Sequence, residues 1–116
     1  MSLPIGQDSE WEVTPEEVVA MRQGGRCDLL LDVRTPDEIA MAAIDGAEEI
    51  PMQVLAVRVG EIETFKDRKV VVFCHGGVRS LKVTEYLRGQ GFGDAWSMHG
   101  GIDAWSQRID PSVPRY

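Results

Sequence analysis

Residues 69–80 constrain the fold of this chain more than any other stretch. The apolar run Val70–Phe73 predicts a strand that is buried on both faces, as in a parallel sheet. Cys74 follows this strand directly, and the pair Gly76–Gly77 precedes a helical pattern that begins near Arg79. Because ligands in open α/β sheets bind at the carboxyl ends of strands, Cys74 lies where chemistry is expected.

The residues after Cys74 are of the types that bind an anion. A loop that enters a helix N-terminus directs several backbone N–H groups at one point, and the helix dipole adds to them. Gly76 and Gly77 allow the positive φ angles and close backbone approach that such a cradle needs. Arg79 adds a guanidinium that can hold an anionic substrate. The stretch therefore predicts a reactive Cys74 thiolate rather than a buried core cysteine before an ordinary turn.

Strand and helix patterns alternate five times along the chain. This alternation predicts an α/β fold, with a mostly parallel five-stranded sheet and helices on both faces. Two helix starts have the same signature, in which Thr14 or Thr35 is the N-cap and a proline follows. Glu17 and Glu38 stand three residues after these threonines and complete a capping box in each case.

The predicted elements follow from hydrophobic period and from turn residues. Strands are expected at 10–13, 27–33, 48–51, 69–73 and 94–98, and helices at 15–23, 36–43, 52–62, 79–90 and from 101 onward. Within the third helix, Met52, Leu55, Val59 and Ile62 recur at helical spacing, and Phe65 continues this stripe. We expect these five side chains to face the core.

The charge balance limits the classes of partner. The 116 residues contain 12 lysines and arginines against 19 aspartates and glutamates, a net charge of −7. This charge argues against nucleic acid and against anionic membrane surfaces as partners, and no apolar run is long enough to span a bilayer. With two cysteines and no recognisable secretion signal, we expect a cytoplasmic location. Residues 1–9 are expected to form a flexible lead-in to a domain at 10–116.

Other kinds of site have little support in the sequence. His75 and His99, together with Cys27 and Cys74, are too few and too poorly spaced for a structural zinc site. Neither nucleotide-binding glycine motif is present, and no metal or organic cofactor is expected. Cys27 stands near the start of its strand and is expected to be a small packed residue. His75 is expected to shape the mouth of the pocket rather than to form a Cys–His pair with its neighbour.

Three segments resemble the motifs of rhodanese-type sulfurtransferases. The loop at 74–80, Cys-x-x-Gly-x-Arg-Ser, resembles the active-site loop of that family. Residues 31–38 resemble its Asp-x-Arg segment, and residues 100–105 resemble its closing Gly-Gly-x-x-x-Trp segment. The segments occur in the family's order and span most of the chain. One departure is Ala-Ile-Asp-Gly-Ala at 43–47, where the family commonly has His-Ile-Pro-Gly-Ala.

The resemblance implies a single rhodanese-like domain that transfers a sulfane sulfur in two steps through a Cys74 persulfide. The donor would be a small anion such as thiosulfate, and the acceptor would be cyanide, a thiol or a sulfur-accepting protein. Cys74 and Arg79 would be the catalytic residues, and Asp32 and Arg34 would brace the loop by charge-assisted hydrogen bonds. The residues implied to bind substrate are His75, Gly76, Gly77, Val78 and Ser80.

Three alternative functions remain open at this point. Phosphatases and arsenate reductases with a related loop place five residues between cysteine and arginine, whereas four residues intervene here. The shorter loop fits a single sulfur atom better than a tetrahedral oxyanion. Rhodanese-like domains can also be regulatory docking modules, usually without the cysteine, or persulfide carriers fed by a partner protein. A carrier would use the same chemistry at Cys74.

Overall fold

The computed structural model describes residues 11–116, in which five strands form one sheet. The strands are β1 (Glu12–Val13), β2 (Leu29–Asp32), β3 (Glu48–Glu49), β4 (Val70–Phe73) and β5 (Ala95–Met98). The helices are α1 (Pro15–Gln23), α2 (Pro36–Met41), α3 (Leu55–Arg58), α4 (Val78–Gly89) and α5 (Gly101–Arg108), and 3₁₀ segments at Met52–Val54 and Val59–Phe65 flank α3. None of these helices is both long and apolar enough to cross a membrane. The predicted lead-in at 1–9 and the first residue of the first predicted strand lie outside the described residues.

The strand that precedes Cys74 lies at the centre of the sheet. The strand order is β1-β5-β4-β2-β3, and every neighbouring pair is parallel. All four residues of β4 have no exposed surface, because β2 and β5 cover its edges and helices cover its faces. The predicted parallel α/β fold is confirmed, and the carboxyl end of β4 opens at the middle of the sheet.

Side chains of β4 alternate between two hydrophobic cores, one on each face of the sheet. Val70 and Val72 belong to a core that also contains Leu55, Ile62 and Leu87, from the α3 region and α4. On the opposite face, Val71 and Phe73 belong to a core with Val18 of α1 and with Ile102 and Trp105 of α5. The helices therefore cover both faces, as the continuous apolar run in β4 predicts.

Both predicted capping boxes are present and define where α1 and α2 begin. The Glu17 N–H donates to Thr14 Oγ1 at 3.1 Å, and the Thr14 N–H donates to Glu17 Oε1 at 2.8 Å. Thr35 and Glu38 make the same reciprocal pair at the start of α2. Each box satisfies backbone donors that have no partner within the helix.

The segment after β3 differs from the single helix expected at 52–62. The chain forms a 3₁₀ turn, one turn of α-helix and a second 3₁₀ segment. Its sequence includes β-branched Val54, Val57 and Val59, followed by Gly60, and these residue types lower helix propensity. The predicted apolar stripe is nevertheless confirmed, since Leu55 and Ile62 are buried and the other three residues pack against the same core.

A buried ion pair ties the end of β2 to α2. Arg34 has no exposed surface and donates to both carboxylate oxygens of Asp32, at 3.0 and 2.7 Å. Its remaining donors reach the carbonyl groups of Glu38 at 3.2 Å and Ala42 at 2.7 Å. The guanidinium also lies 5.7 Å from the ring centroid of Phe73. Every charge in this buried set thus has a partner, which a buried ion pair requires.

We predict that Arg34→Met will be strongly destabilised, because the Asp32 carboxylate would remain buried without its counter-charge. The expected loss in free energy of unfolding is about 3–5 kcal/mol, measured by urea denaturation. Arg58→Met is the matched control, since Arg58 pairs with Glu61 on the exposed surface, and it should change the midpoint little. Equal midpoints for the two variants would contradict the structural importance of the buried pair.

Candidate active site

The sulfur of Cys74 lies in a cradle of hydrogen-bond donors. Cys74 is only 1% exposed and follows β4 at the carboxyl edge of the sheet. Its Sγ accepts the N–H of Gly77 at 3.2 Å and the N–H of Ser80 at 3.3 Å, and it lies 3.5 Å from Ser80 Oγ. These donors come from the first turn of α4, whose dipole also favours negative charge at this point. The arrangement can stabilise a thiolate or a persulfide anion.

The backbone of Gly77 allows the chain to turn from the loop into α4. Gly77 has a φ of 106° and is the N-cap of this helix. A side chain would be strained at this φ and would also approach the backbone N of Gly100. A glycine is therefore required for the turn that brings the Gly77 N–H to the sulfur.

Ser80 is held in place by two further hydrogen bonds. Its hydroxyl lies 2.7 Å from Ser97 Oγ on β5 and 3.2 Å from the Gly77 carbonyl oxygen. Both serines have no exposed surface. Ser97 thus contributes to the position of a group that contacts the sulfur, although it lies outside the loop.

The N-terminus of α5 holds the other side of the loop. The N–H of Ile102 donates to the Cys74 carbonyl at 2.9 Å, and the N–H of Asp103 donates to the His75 carbonyl at 3.1 Å. Because a trans peptide directs its C=O and N–H to opposite sides, the N–H groups of His75 and Gly76 point away from α5. A side chain at Gly101 would clash with both carbonyl oxygens. This contact explains the second glycine of the segment at 100–105.

Arg79 makes a bidentate ion pair with Glu38. Its two terminal nitrogens lie 2.6 and 2.8 Å from the two carboxylate oxygens, and its side chain is 31% exposed. The hydrogen bonds from Arg79 hold the pKa of Glu38 far below its usual range, and the carboxylate raises the pKa of Arg79. Two of the five guanidinium N–H groups are used in this pair, so three can still reach a ligand.

Tyr116 links this ion pair to the buried pair behind it. Its hydroxyl donates to Glu38 Oε2 at 2.8 Å and accepts from Arg34 at 3.1 Å. Burial raises the pKa of the Tyr116 phenol, which keeps it a donor. Arg34 therefore contacts α2 and Tyr116 directly and reaches Arg79 only through Tyr116 and Glu38, whereas the Asp32 side chain contacts Arg34. Whether they brace the catalytic loop stays a prediction.

The remaining predicted loop residues, His75, Gly76 and Val78, do not contact the sulfur through a hydrogen bond in the described part of the chain. The His75 ring stacks on the Tyr116 ring, with centroids 4.2 Å apart. No hydrogen bond joins His75 to Cys74 within residues 11–116. Gly76 and Val78 are exposed, and with Gly77 they form one wall of a cavity of about 350 Å³. Of the predicted loop residues, Gly77 and Ser80 contact the Cys74 sulfur, whereas His75 contacts Tyr116 and Arg79 contacts Glu38.

The second cysteine lies at the opposite end of the sheet. Cys27 precedes β2, is partly buried, and packs against the core that contains α1 and α5. Burial raises the pKa of its thiol, which disfavours the nucleophilic form. Among residues 11–116, no cluster of three or more histidine, cysteine, aspartate or glutamate side chains could hold a metal ion.

Glu38, Tyr116 and Ser97 were missed by the sequence reasoning as residues of the site. Glu38 was recognised only for its capping role, and Tyr116 follows the last predicted helix. Ser97 carried a weak signal, because it is a small polar residue in the middle of a predicted buried strand. None of the three has a local motif that would connect it to Cys74.

We predict that Glu38→Gln will lower stability at neutral pH by about 1–3 kcal/mol, through loss of the charged hydrogen bonds. Because folding lowers the pKa of Glu38, its contribution is complete above the ordinary carboxyl pKa of 4.5 and is lost as the pH falls through the folded value. The stability difference from the unmodified protein should therefore narrow below about pH 4. Urea denaturation from pH 7 to pH 3 measures this difference, and the exposed Glu85→Gln is the control. A difference that is independent of pH would contradict the assignment.

Comparison with known proteins identifies the family. The family model for the Rhodanese-like domain matches residues 14–108. A sulfurtransferase from Allochromatium vinosum is 44% identical over 85 residues, which cover 73% of this chain and 78% of that protein. The probable adenylyltransferase/sulfurtransferase MoeZ of Mycobacterium tuberculosis is 36% identical over 104 residues, which cover 90% of this chain but 26% of that protein.

The solved structures agree with the sequence relatives. A rhodanese-like domain protein from Staphylococcus aureus superposes with a TM-score of 0.73 at 33% identity, covering 90% of this chain and 97% of that one. The matched residues include β4, the Cys74 loop and α5. The chain is therefore a member of the rhodanese-like domain family of sulfurtransferases.

Proposed function

We propose that this protein transfers a sulfane sulfur from a small anionic donor such as thiosulfate to a thiophilic acceptor, through a persulfide on Cys74. The observation that carries this proposal is the position of Sγ, which accepts N–H groups from both Gly77 and Ser80. These donors would stabilise both the thiolate and the persulfide anion of Cys74, because their positions are set before any substrate binds.

In the first step, the Cys74 thiolate attacks the outer sulfur of the donor. A sulfur–sulfur bond forms to Sγ while the bond between the two donor sulfurs breaks, and sulfite leaves with the bonding electron pair. Cys74 then carries the outer sulfur as a persulfide. The N–H groups of Gly77 and Ser80 stabilise the thiolate before the attack and the persulfide after it.

Arg79 is the cation available for the anionic end of the donor. Its three N–H groups that do not contact Glu38 are free to bind oxygen atoms. Glu38 holds the guanidinium in one position, so little side-chain entropy remains to be lost when a donor binds. The carboxylate also offsets the positive charge, which favours release of sulfite after transfer.

In the second step, an acceptor attacks the outer sulfur of the persulfide. Cyanide or a thiolate forms a bond to that sulfur, and the bond to Sγ breaks with its electron pair returning to Cys74. The free thiolate is then ready for another donor, which gives ping-pong kinetics.

A carrier role, in which a partner protein supplies the sulfur, is a second candidate with the same Cys74 chemistry. The observation that favours it is Val78, the first residue of α4, whose apolar side chain is 70% exposed next to Gly77. An apolar side chain offers a small anion neither charge nor a hydrogen bond, whereas a protein partner that covers it would gain from its burial. Comparing the rates of persulfide formation from thiosulfate and from a cysteine desulfurase would separate the two roles.

We predict that Cys74→Ser will not acquire sulfur from thiosulfate, because the hydroxyl replaces the only attacking sulfur of the site. Intact-protein mass spectrometry after brief incubation without reductant should show one added sulfur atom in the unmodified protein, removed by cyanide. Cys27→Ser is the matched control and should still gain the atom. Retained sulfur transfer in Cys74→Ser would place the nucleophile elsewhere.

We also predict that Gly101→Ala will slow persulfide formation, on the order of 10²-fold, because a methyl group would displace the Cys74 and His75 carbonyls. The rate of sulfur gain, followed by mass spectrometry, measures this effect. Gly89→Ala is the control, since a methyl group there meets open space at the end of α4. Equal rates in the two variants would show that contact with α5 does not position the loop.

A further inference from the structure

Polar side chains of two neighbouring strands lie on the same face of the sheet as the Cys74 sulfur. Glu12 of β1 is directly opposite Ser97 of β5, and Ser97 is directly opposite Val72 of β4. Side chains two residues apart in a strand share a face, so Cys74 continues the Val72 side. Ser97 contacts Ser80, whose N–H donates to the sulfur, whereas Glu12 contacts a different residue.

Glu12 pairs with His99, which follows β5. His99 Nδ1 lies 3.2 Å from Glu12 Oε2. A carboxylate accepts only, so Nδ1 carries the proton and the Nε2 atom of the neutral ring carries a lone pair. Among residues 11–116, no side chain or backbone group donates to that nitrogen, and the His99 side chain is 31% exposed while that of Glu12 is 5% exposed. The pair resembles a base held by a buried carboxylate, which is the arrangement of a general base and its orienting residue.

This pair lines the cavity that adjoins the active-site loop. The cavity of about 350 Å³ is bounded by Glu12 and His99 on one side and by residues 76–78 on another. Gly77, which forms part of its wall, donates its N–H to Cys74 Sγ at 3.2 Å. Gly77 therefore adjoins both the cavity and the sulfur, and the outer sulfur of a persulfide would extend about 2 Å beyond Sγ.

The proposed mechanism requires a base for the acceptor thiol, and no residue has been assigned to that role so far. An aliphatic thiol is largely protonated near neutral pH, but only its thiolate is a good nucleophile. A base beside the persulfide would remove that proton as the new bond forms. The residues assigned so far, Gly77, Arg79 and Ser80, donate hydrogen bonds and do not supply such a base.

We propose that the cavity beside Gly77 is the subsite for an acceptor thiol and that His99, oriented by Glu12, is its general base. This inference rests on the persulfide mechanism proposed above. The proton of the acceptor thiol passes to His99 Nε2, and the thiol sulfur bonds to the outer sulfur of the Cys74 persulfide. The bond to Cys74 Sγ breaks, its electron pair remains on Sγ, and the acceptor leaves as a persulfide. His99 then returns its proton to solvent.

Charged groups on two elements line the cavity beside His99. They are Glu12 on β1 and Lys82 and Glu85 on α4. Because a protonated imidazole cannot act as a base, the acceptor reaction should have an acid limb. The donor reaction should lack this limb, since no proton is removed from thiosulfate.

The experiment separates the two half-reactions. The full chain is first loaded with sulfur from thiosulfate and desalted, and loss of the outer sulfur is then followed by mass spectrometry in single turnover. Three acceptors are compared: 2-mercaptoethanol, which is largely protonated, 2-nitro-5-thiobenzoate, which is ionised, and cyanide, which has no thiol proton. His99→Gln should slow discharge to 2-mercaptoethanol by about 10²-fold and abolish the acid limb. It should change the rates with the other two acceptors by much less.

A second variant and a control complete the test. Glu12→Gln retains His99 but removes the carboxylate that orients it, so it should slow discharge to 2-mercaptoethanol by a smaller factor. Glu16→Gln, an exposed carboxylate on α1 that pairs with Arg108, should leave all three rates unchanged. Equal slowing of all acceptors by His99→Gln, or no slowing, would overturn the base assignment while leaving the persulfide mechanism intact. Failure of the unmodified protein to gain sulfur would instead overturn the proposed function and the subsite with it.

Discussion

The two hydrogen bonds from the N-terminus of α5 to the Cys74 and His75 carbonyls are the contact on which the site depends. They hold the Cys74 and His75 carbonyls toward α5, so the N–H groups of His75 and Gly76 point away from α5. They form because β5, which leads into α5, lies directly beside β4 in the sheet. The backbone at Gly101 passes too close to these carbonyls for any side chain. The strand order thus positions the loop before any substrate is present.

An acidic chain can support an anionic intermediate because the field at the sulfur is local. The net charge is −7, yet the groups in contact with Cys74 are backbone N–H donors and a hydroxyl. Arg79 is offset by Glu38, so the side chains nearest the loop add little net charge. More distant surface charges are screened over about 8–10 Å at physiological salt. Backbone dipoles, which do not depend on side-chain composition, are the groups that would stabilise an anion at this sulfur.

Much of the fold could be predicted from the sequence because the relevant signals are local. The helix starts at Thr14 and Thr35 depend on residues three positions apart, and both capping boxes are present. The four apolar residues before Cys74 required a strand covered on both faces, which the central place of β4 confirms. The prediction of a single helix at 52–62 was only partly correct. The side chains of its apolar stripe reach the core from 3₁₀ turns as well as from an α-helix.

The sequence by itself determined the glycine-rich turn after Cys74 and the family, and it predicted Cys74 as the nucleophile, since these depend on short segments with a strong local pattern. The tertiary structure alone decided which residues from distant positions contact the site and one another. Glu38 reaches Arg79 across 41 positions and Tyr116 across 78, and His99 meets Glu12 across 87. Hydrophobic period specifies which face of a strand is buried, but it does not specify the neighbouring strand. Contacts between residues of different strands and helices therefore follow only from the strand order.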